Sequence, residues 1–134
     1  YERQHTRIIS DYSGLSNAMP KYSFFFMVFM LASVGLPGTS GFIGEFLVII
    51  STISISIYLT IFTAIGVVLG AAYMLLLYKN VNFGDLKSNL SEIKDLETIE
   101  IIYFSLLGFF VIFLGVYPKI LFNLIDKSVS LIVL

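Results

Sequence analysis

The sequence predicts an all-helical integral membrane protein with three transmembrane helices, the first of which is discontinuous. The chain is 57% hydrophobic and has a mean hydropathy of +0.94, which is typical of membrane proteins rather than soluble domains. Between Tyr22 and Tyr78 the only ionisable side chain other than tyrosine is Glu45. Because charge within a membrane is costly, such a residue usually marks an ion or proton path.

The first crossing is short for a bilayer. Residues 1–21 are polar and rich in turn-forming residues, so we expect an inner-side segment that follows a preceding helix. The apolar stretch 22–36 would reach only about 22 Å as a helix, against ~30 Å for a hydrocarbon core. Pro37 ends this stretch, since proline lacks the N–H and disfavours helix in the residue before it.

A helix break therefore interrupts the first crossing. It is predicted at three residues, Pro37, Gly38 and Gly41. Thr39 or Ser40 is expected to cap a second helical piece, which makes 22–52 one broken transmembrane helix. A break in a bilayer is tolerated only where protein or a water-filled cavity satisfies the freed backbone groups. The alternative is a hairpin of two short spans with its tip at the break.

The rest of the chain divides by charge and hydropathy. Transmembrane helices are predicted at 53–78 and 99–121, with an outer-side tail at 122–134. The charged stretch 79–98 is either an inner-side loop or a surface helix, because Leu86, Leu90 and Ile93 recur at helical spacing.

Lys and Arg set the predicted orientation. With the broken helix as one crossing, six cations lie inside (Arg3, Arg7, Lys21, Lys79, Lys87, Lys94) and two outside (Lys119, Lys127). The hairpin would divide them five against three, so the single broken crossing is favoured.

Glu45 is the candidate proton-transfer residue. If Ser40 is the N-cap, Glu45 is the fifth helical residue, beyond the first turn where the helix dipole acts. No capping box fits either, because Phe42 and Ile43 lie three residues after the two possible caps. Burial favours a neutral carboxyl and a nearby cation favours a charged one, so such a group can take and release a proton. The alternative is a Glu held permanently by a Lys or Arg of a neighbouring helix.

Glycines recur every three residues around the break, at positions 35, 38, 41 and 44. They would either free the backbone to hinge or line a water path, or they would let a neighbouring helix pack closely. Gly66 and Gly70 fit the small-xxx-small pattern of helix packing. His5 lies beside two arginines and is either a surface proton collector or a solvated loop residue.

Several classes of site have no support. The chain contains no Cys, the usual ligand of iron–sulfur clusters, and no nucleotide-binding motif. It has no cluster of metal-ligand residue types, so we expect no metal site and no cofactor-binding residue. Its net charge of −1 and lack of a basic patch argue against a nucleic-acid partner. The expected surroundings are a lipid bilayer and other membrane helices.

The segment 35–46 resembles the signature of the subunit 4 (chain M) family of the proton-pumping NADH:quinone oxidoreductase, respiratory complex I. Further stretches carry the same resemblance, namely 1–7, 19–20, 69–73, 83–84 and 115–118. The related subunits 2 and 5 and the Mrp-type antiporter subunits generally carry Pro-Pro and a Lys here. Pro37-Gly38 and Glu45 match subunit 4 instead.

The resemblance implies an antiporter-like fold of fourteen transmembrane helices in two inverted repeats. It places this chain, which begins with Tyr1 rather than Met, as the C-terminal portion: the end of helix 11, broken helix 12, and helices 13 and 14. Glu45 falls on the acidic residue of helix 12, in the outward-facing part of the family's proton path. The family's other key groups, an acid on helix 5 and lysines on helices 7 and 8, lie on helices that are absent here.

The resemblance also implies a subunit of an enzyme complex, with no redox centre on this chain. Flavin, iron–sulfur clusters and quinone would be bound by other subunits. The expected partners are other complex I membrane subunits, especially neighbouring antiporter-like subunits. The membrane would be the bacterial inner membrane, or alternatively the mitochondrial inner membrane. A related cation/proton antiporter or membrane-bound hydrogenase is the alternative assignment, and a purely structural role for the three helices is another.

Overall fold

The structure is a computed structural model that describes residues 3, 5–90, 93–123 and 125–126, and every regular element in these residues is a helix. The α-helices are α1 (Leu15–Ala18), α2 (Pro20–Ser33), α3 (Ser40–Ile53), α4 (Ile57–Asn82) and α5 (Thr98–Val116). Two short 3₁₀ turns cover Ile9–Asp11 and Ser88–Leu90. Parts of three predictions lie outside the described residues: Tyr1, Glu2 and Gln4 of the inner segment, 91–92 of the charged stretch, and 124 and 127–134 of the tail, which include Lys127.

Among the described residues, two helices are long and apolar enough to cross a membrane, α4 with 26 residues and α5 with 19. Their large side chains face outward: Tyr58 and Phe62 of α4 are each 73% exposed. The shorter α2 and α3 have 14 residues each, so together they are about as long as α4. Helix α5 begins at a capping box, in which Glu97 and Glu100 each accept the other's backbone N–H.

Helices α4 and α5 each contact both half-helices, α2 and α3. The ring of Phe26 in α2 lies 5.5 Å from that of Tyr78 near the end of α4. Helix α4 begins just after α3 ends, and its last residue, Asn82, bonds to Ser23 in the first turn of α2, so α4 runs opposite to the α2–α3 pair. Phe104 of α5 stacks on Phe25 at 5.6 Å, while Gly115 lies against the break. Helix α5 therefore runs in the same direction as α2.

The core of the chain lies at one end of these helices, which we call the polar end. Its buried residues are Leu15, Met19, Val81, Leu90 and Leu96. Helix α4 continues into the charged stretch as far as Asn82, and α5 begins at its end with Thr98. Between these helices Leu90 is fully buried whereas Leu86 is exposed, and the only regular element among the described residues there is the 3₁₀ turn. Leu90 and Leu96 of this stretch thus pack against α1 and the end of α4, and they cover the polar end of the helices.

Helix α2 is capped from a distant part of the chain. Pro20 occupies the first helical position, which suits proline, but the N-cap residue Met19 offers no side-chain acceptor. The carboxylate of Asp95 instead accepts the backbone N–H of Lys21 at 3.0 Å and of Tyr22 at 3.3 Å. Burial raises the pKa of Asp95, but these bonds, a third from the Leu96 N–H and the charge of Lys21 hold that pKa below its ordinary value.

Candidate functional site at the helix break

Helix α2 ends in a Schellman motif centred on Gly35. The Gly35 N–H donates to the carbonyl of Ala32 at 3.3 Å, and the Leu36 N–H donates to that of Leu31 at 3.0 Å. Gly35 has φ +78°, a left-handed conformation that glycine adopts at little cost. Pro37 follows two residues later, as is common after this motif. The helix stop thus lies at Gly35, and Pro37 prevents the helix from resuming.

The turn into α3 is closed by Thr39. Its N–H and its hydroxyl both donate to the carbonyl of Leu36, at 3.1 and 2.7 Å. Thr39 is the N-cap residue of α3, yet its hydroxyl makes no capping bond to α3 and donates to the turn instead. Gly38 has φ +96°, which makes it the second left-handed residue of the break.

Two glycines allow close backbone contact at the break. The Cα of Gly41, the second residue of α3, lies against the carbonyl of Ala32 at the end of α2. The Cα of Gly115 in α5 lies against Thr39 and the carbonyl of Gly38, and a Cβ there would come within 2.5 Å of that oxygen. The junction of the two half-helices is therefore held by backbone-to-backbone packing from both sides.

Glu45 is the sixth residue of α3, since α3 begins at Ser40. This position lies beyond the first turn, so a capping role does not account for it. Its side chain is half-buried, and its carboxylate lies directly against the Cα of Gly35. Among the residues that the structure describes, the carboxylate has no salt bridge or hydrogen bond. Glu45 thus brings a carboxylate without a cation to the point where α2 stops.

The structure brings some of the singled-out residues together and separates others. Pro37 and Gly38 lie in the break, whereas Gly41 lies within α3 and supports the break by packing. Gly44 faces open space. His5 lies in the segment before α1, with φ 54°.

Sequence reasoning missed two residues of this site. The periodicity of the glycines gives Gly35 no special place, although Gly35-Leu36-Pro37 carries the signal of a helix stop with a trailing proline. The contact of Gly115 with Thr39 and Gly38 could not be predicted from neighbouring residues, because these partners lie some 76 residues earlier in the chain. Both contacts depend on the absence of a Cβ.

Within the described residues, the break presents one protonatable side chain, Glu45, rather than a set of ligand residues. Charge in an apolar stretch of a membrane is costly, and the irregular backbone beside this carboxylate is tolerated in a bilayer only where protein or water covers it. In the described part of the chain, no group of three or more His, Cys, Asp or Glu side chains is placed to hold a metal ion.

Comparisons with known proteins point to one family. Residues 1–70, just over half of the chain, match the model of the family described as NADH:quinone oxidoreductase/Mrp antiporter, transmembrane. NADH-quinone oxidoreductase subunit M of Rhodobacter capsulatus is 47% identical over 97% of this chain and 26% of its own length. Subunit M of Rickettsia felis is 43% identical (97% and 27%), and NADH-ubiquinone oxidoreductase chain 4 of Marchantia polymorpha is 41% identical (97% and 26%).

The chain spans about a quarter of the length of these relatives. Within that quarter, the similarity covers the break, Glu45, α4 and α5, since each match covers 131 of the 134 residues. The family match over residues 1–70 includes both half-helices of the break. On this evidence, the chain belongs to the NADH:quinone oxidoreductase/Mrp antiporter transmembrane family.

Proposed function

We propose that this chain is part of a membrane-arm subunit of NADH:quinone oxidoreductase and contributes to proton translocation coupled to electron transfer. The observation that carries the proposal is the Glu45 carboxylate, which meets the stopped end of α2 and lacks a cation among the described residues. The names of the relatives support the choice of complex.

In this proposal α2 and α3 form one discontinuous crossing, and α4 and α5 form two more, within a fourteen-helix antiporter-like fold. The path of α4 supports the single crossing. Its 26 residues cover about 39 Å at 1.5 Å per residue, and it returns from the end of α3 to the beginning of α2. The end of α3 therefore lies far from the beginning of α2, which a hairpin of two short spans would not allow.

The proton step follows from the surroundings of Glu45. A change in charge or hydration at neighbouring sites lowers the proton affinity of the carboxyl, and the proton leaves towards the outer side. The helix break serves this step because irregular backbone in a bilayer lines a cavity or is covered by protein. Glu45 is in this sense the last protonatable site of a path whose earlier groups lie on other helices.

The redox chemistry belongs to other subunits in this proposal. Flavin, iron–sulfur clusters and quinone are bound there, and the lack of any Cys in this chain agrees with that for the clusters. The partners are other membrane subunits of the complex, especially antiporter-like neighbours. The membrane is the bacterial inner membrane, with the mitochondrial inner membrane as the alternative.

The test is Glu45→Gln in the complete complex, with proton pumping measured against NADH:quinone turnover. We expect the ratio of protons pumped to electrons transferred to fall, because glutamine keeps the shape of the side chain but cannot carry the proton. Asp85→Asn is the matched control, since it removes a carboxylate that is exposed and has no hydrogen bond among the described residues. Unchanged pumping at normal assembly in Glu45→Gln would contradict the proposal.

A cation/proton antiporter subunit is the second candidate, because the matched family covers Mrp antiporters as well. An antiporter would move Na⁺ in exchange for protons without NADH oxidation. Transport measured in vesicles with and without Na⁺, together with a test for copurification of NADH-oxidising subunits, separates the two functions.

A further inference from the structure

We infer that Gly35 is a positioning residue for the Glu45 carboxylate: because it lacks a Cβ, the carboxylate can lie against the backbone where α2 ends. The inference rests on the proposed proton role of Glu45 and adds a second residue to that site. Nothing in the family match or in the names of the relatives assigns a role to Gly35.

The contact is closer than any other residue type would permit. A Cβ built on Gly35 would lie 2.9 Å from Cδ of Glu45 and closer still to Oε2. Cβ atoms in proteins essentially never approach other heavy atoms within 3.0 Å. The carboxylate of Glu45 therefore occupies the space that the side chain at position 35 would fill.

The contact is set by the ends of both half-helices. Gly41 and Glu45 are four residues apart and so lie on the same face of α3. That face meets the end of α2: the Cα of Gly41 rests on the carbonyl of Ala32, and the carboxylate of Glu45 rests on Gly35. Gly41 thus allows α3 to lie close to α2, and Gly35 leaves space for the Glu45 carboxylate in this contact.

Gly38 provides a matched control within the same turn. It also adopts a left-handed conformation, with φ +96° against +78° for Gly35. A Cβ on Gly38 would nevertheless meet nothing within 4 Å among the described residues. Gly35→Ala and Gly38→Ala therefore both place alanine in a left-handed conformation, Gly38→Ala further from the usual φ, and only Gly35→Ala displaces Glu45.

The experiment compares these two variants in the complete complex. A hydrophobic carbodiimide, which reacts with protonated carboxyls, is applied across a range of pH, and modification of Glu45 is quantified by mass spectrometry. We expect Gly35→Ala to change the extent or the pH midpoint of labelling severalfold, while Gly38→Ala leaves both at the wild-type level. Equal labelling of Glu45 in both variants and the wild type overturns the inference, as does an equal change in both variants.

Proton pumping per electron, measured on the same preparations, separates the inference from the proposed function. Altered labelling with a lower pumping ratio in Gly35→Ala supports both. Altered labelling with normal pumping supports the positioning role and contradicts the proton role.

A failure of Gly35→Ala to assemble is resolved by a double variant. Glu45→Asp shortens the side chain by one methylene and withdraws the carboxylate from position 35. Recovered assembly in Gly35→Ala/Glu45→Asp supports the inference. A double variant that is as poorly assembled as Gly35→Ala, while Gly38→Ala assembles normally, overturns it.

Discussion

Ser23 donates a 2.6 Å hydrogen bond to the side-chain amide oxygen of Asn82, and so ties the first turn of α2 to the last residue of α4. Both residues are buried, Asn82 completely. The amide nitrogen of Asn82 donates to the carbonyl of Tyr78 at 3.2 Å, so the oxygen and the nitrogen of the side-chain amide are both hydrogen-bonded. A buried polar pair of this kind fixes the position of α2 along α4, because any shift would leave an unpaired polar group.

Ser23→Ala is expected to destabilise the protein by about 1–3 kcal/mol, since it leaves the Asn82 oxygen buried without a donor. The measurement is the thermal midpoint of unfolding of the full-length protein in detergent. Ser33→Ala is the control, because Ser33 ends the same helix but is exposed. A similar midpoint for both variants would show that the buried pair contributes nothing.

Asp95 is expected to make stability depend on acidity. Because the pKa of Asp95 is lower in the folded protein than its ordinary value, its contribution is complete above that ordinary value of about 3.9. It is lost as the pH falls through the lowered folded value. Asp95→Ala removes both acceptors at the start of α2 and should cost about 1 kcal/mol at neutral pH.

Asp95→Asn separates the charge from the hydrogen bond. Asparagine is also a good capping residue, so this variant should retain much of the stability at neutral pH and lose the acid dependence. Unfolding midpoints between pH 2 and 7 provide the measurement, with Asp85→Asn as a control for removal of an exposed carboxylate. An acid dependence that persists in Asp95→Asn would assign it to another group.

Gly115→Ala is expected to push α5 away from the helix break, because its Cβ would run into the backbone of Gly38 and Thr39. Gly108→Ala is the matched control in the same helix: a Cβ there would meet nothing within 4 Å among the described residues. The control should be neutral or stabilising by up to about 1 kcal/mol, since alanine favours helix over glycine. Protease sensitivity of the 34–39 turn and thermal midpoints compare the two. Equal behaviour would contradict the close approach.

The local features of this site could be predicted from sequence, whereas its long-range contacts could not. The isolation of Glu45 and the interruption near Pro37 follow from residue types alone. The cap of α2 by Asp95 and the Ser23–Asn82 bond join residues 74 and 59 positions apart, and no local pattern encodes such pairs. The burial of Leu90 could not be predicted locally either. The helical spacing of Leu86, Leu90 and Ile93 indicates an apolar face but does not indicate which residues cover it.

Gly66 provides the prediction for the outer surface of α4. The small-xxx-small pattern with Gly70 favours packing against a neighbouring helix, yet within the described part of the chain a Cβ on Gly66 would meet nothing within 4 Å. Gly66→Leu should therefore leave the packing of this chain intact and reduce its assembly with the rest of the complex. The measurement is the fraction of subunit recovered in the assembled complex relative to the total in the membrane.

Val68→Leu is the control, because Val68 is also exposed on α4 but lies on a different face. If Gly66→Leu assembles as well as Val68→Leu, no neighbouring helix packs closely against Gly66 and Gly70.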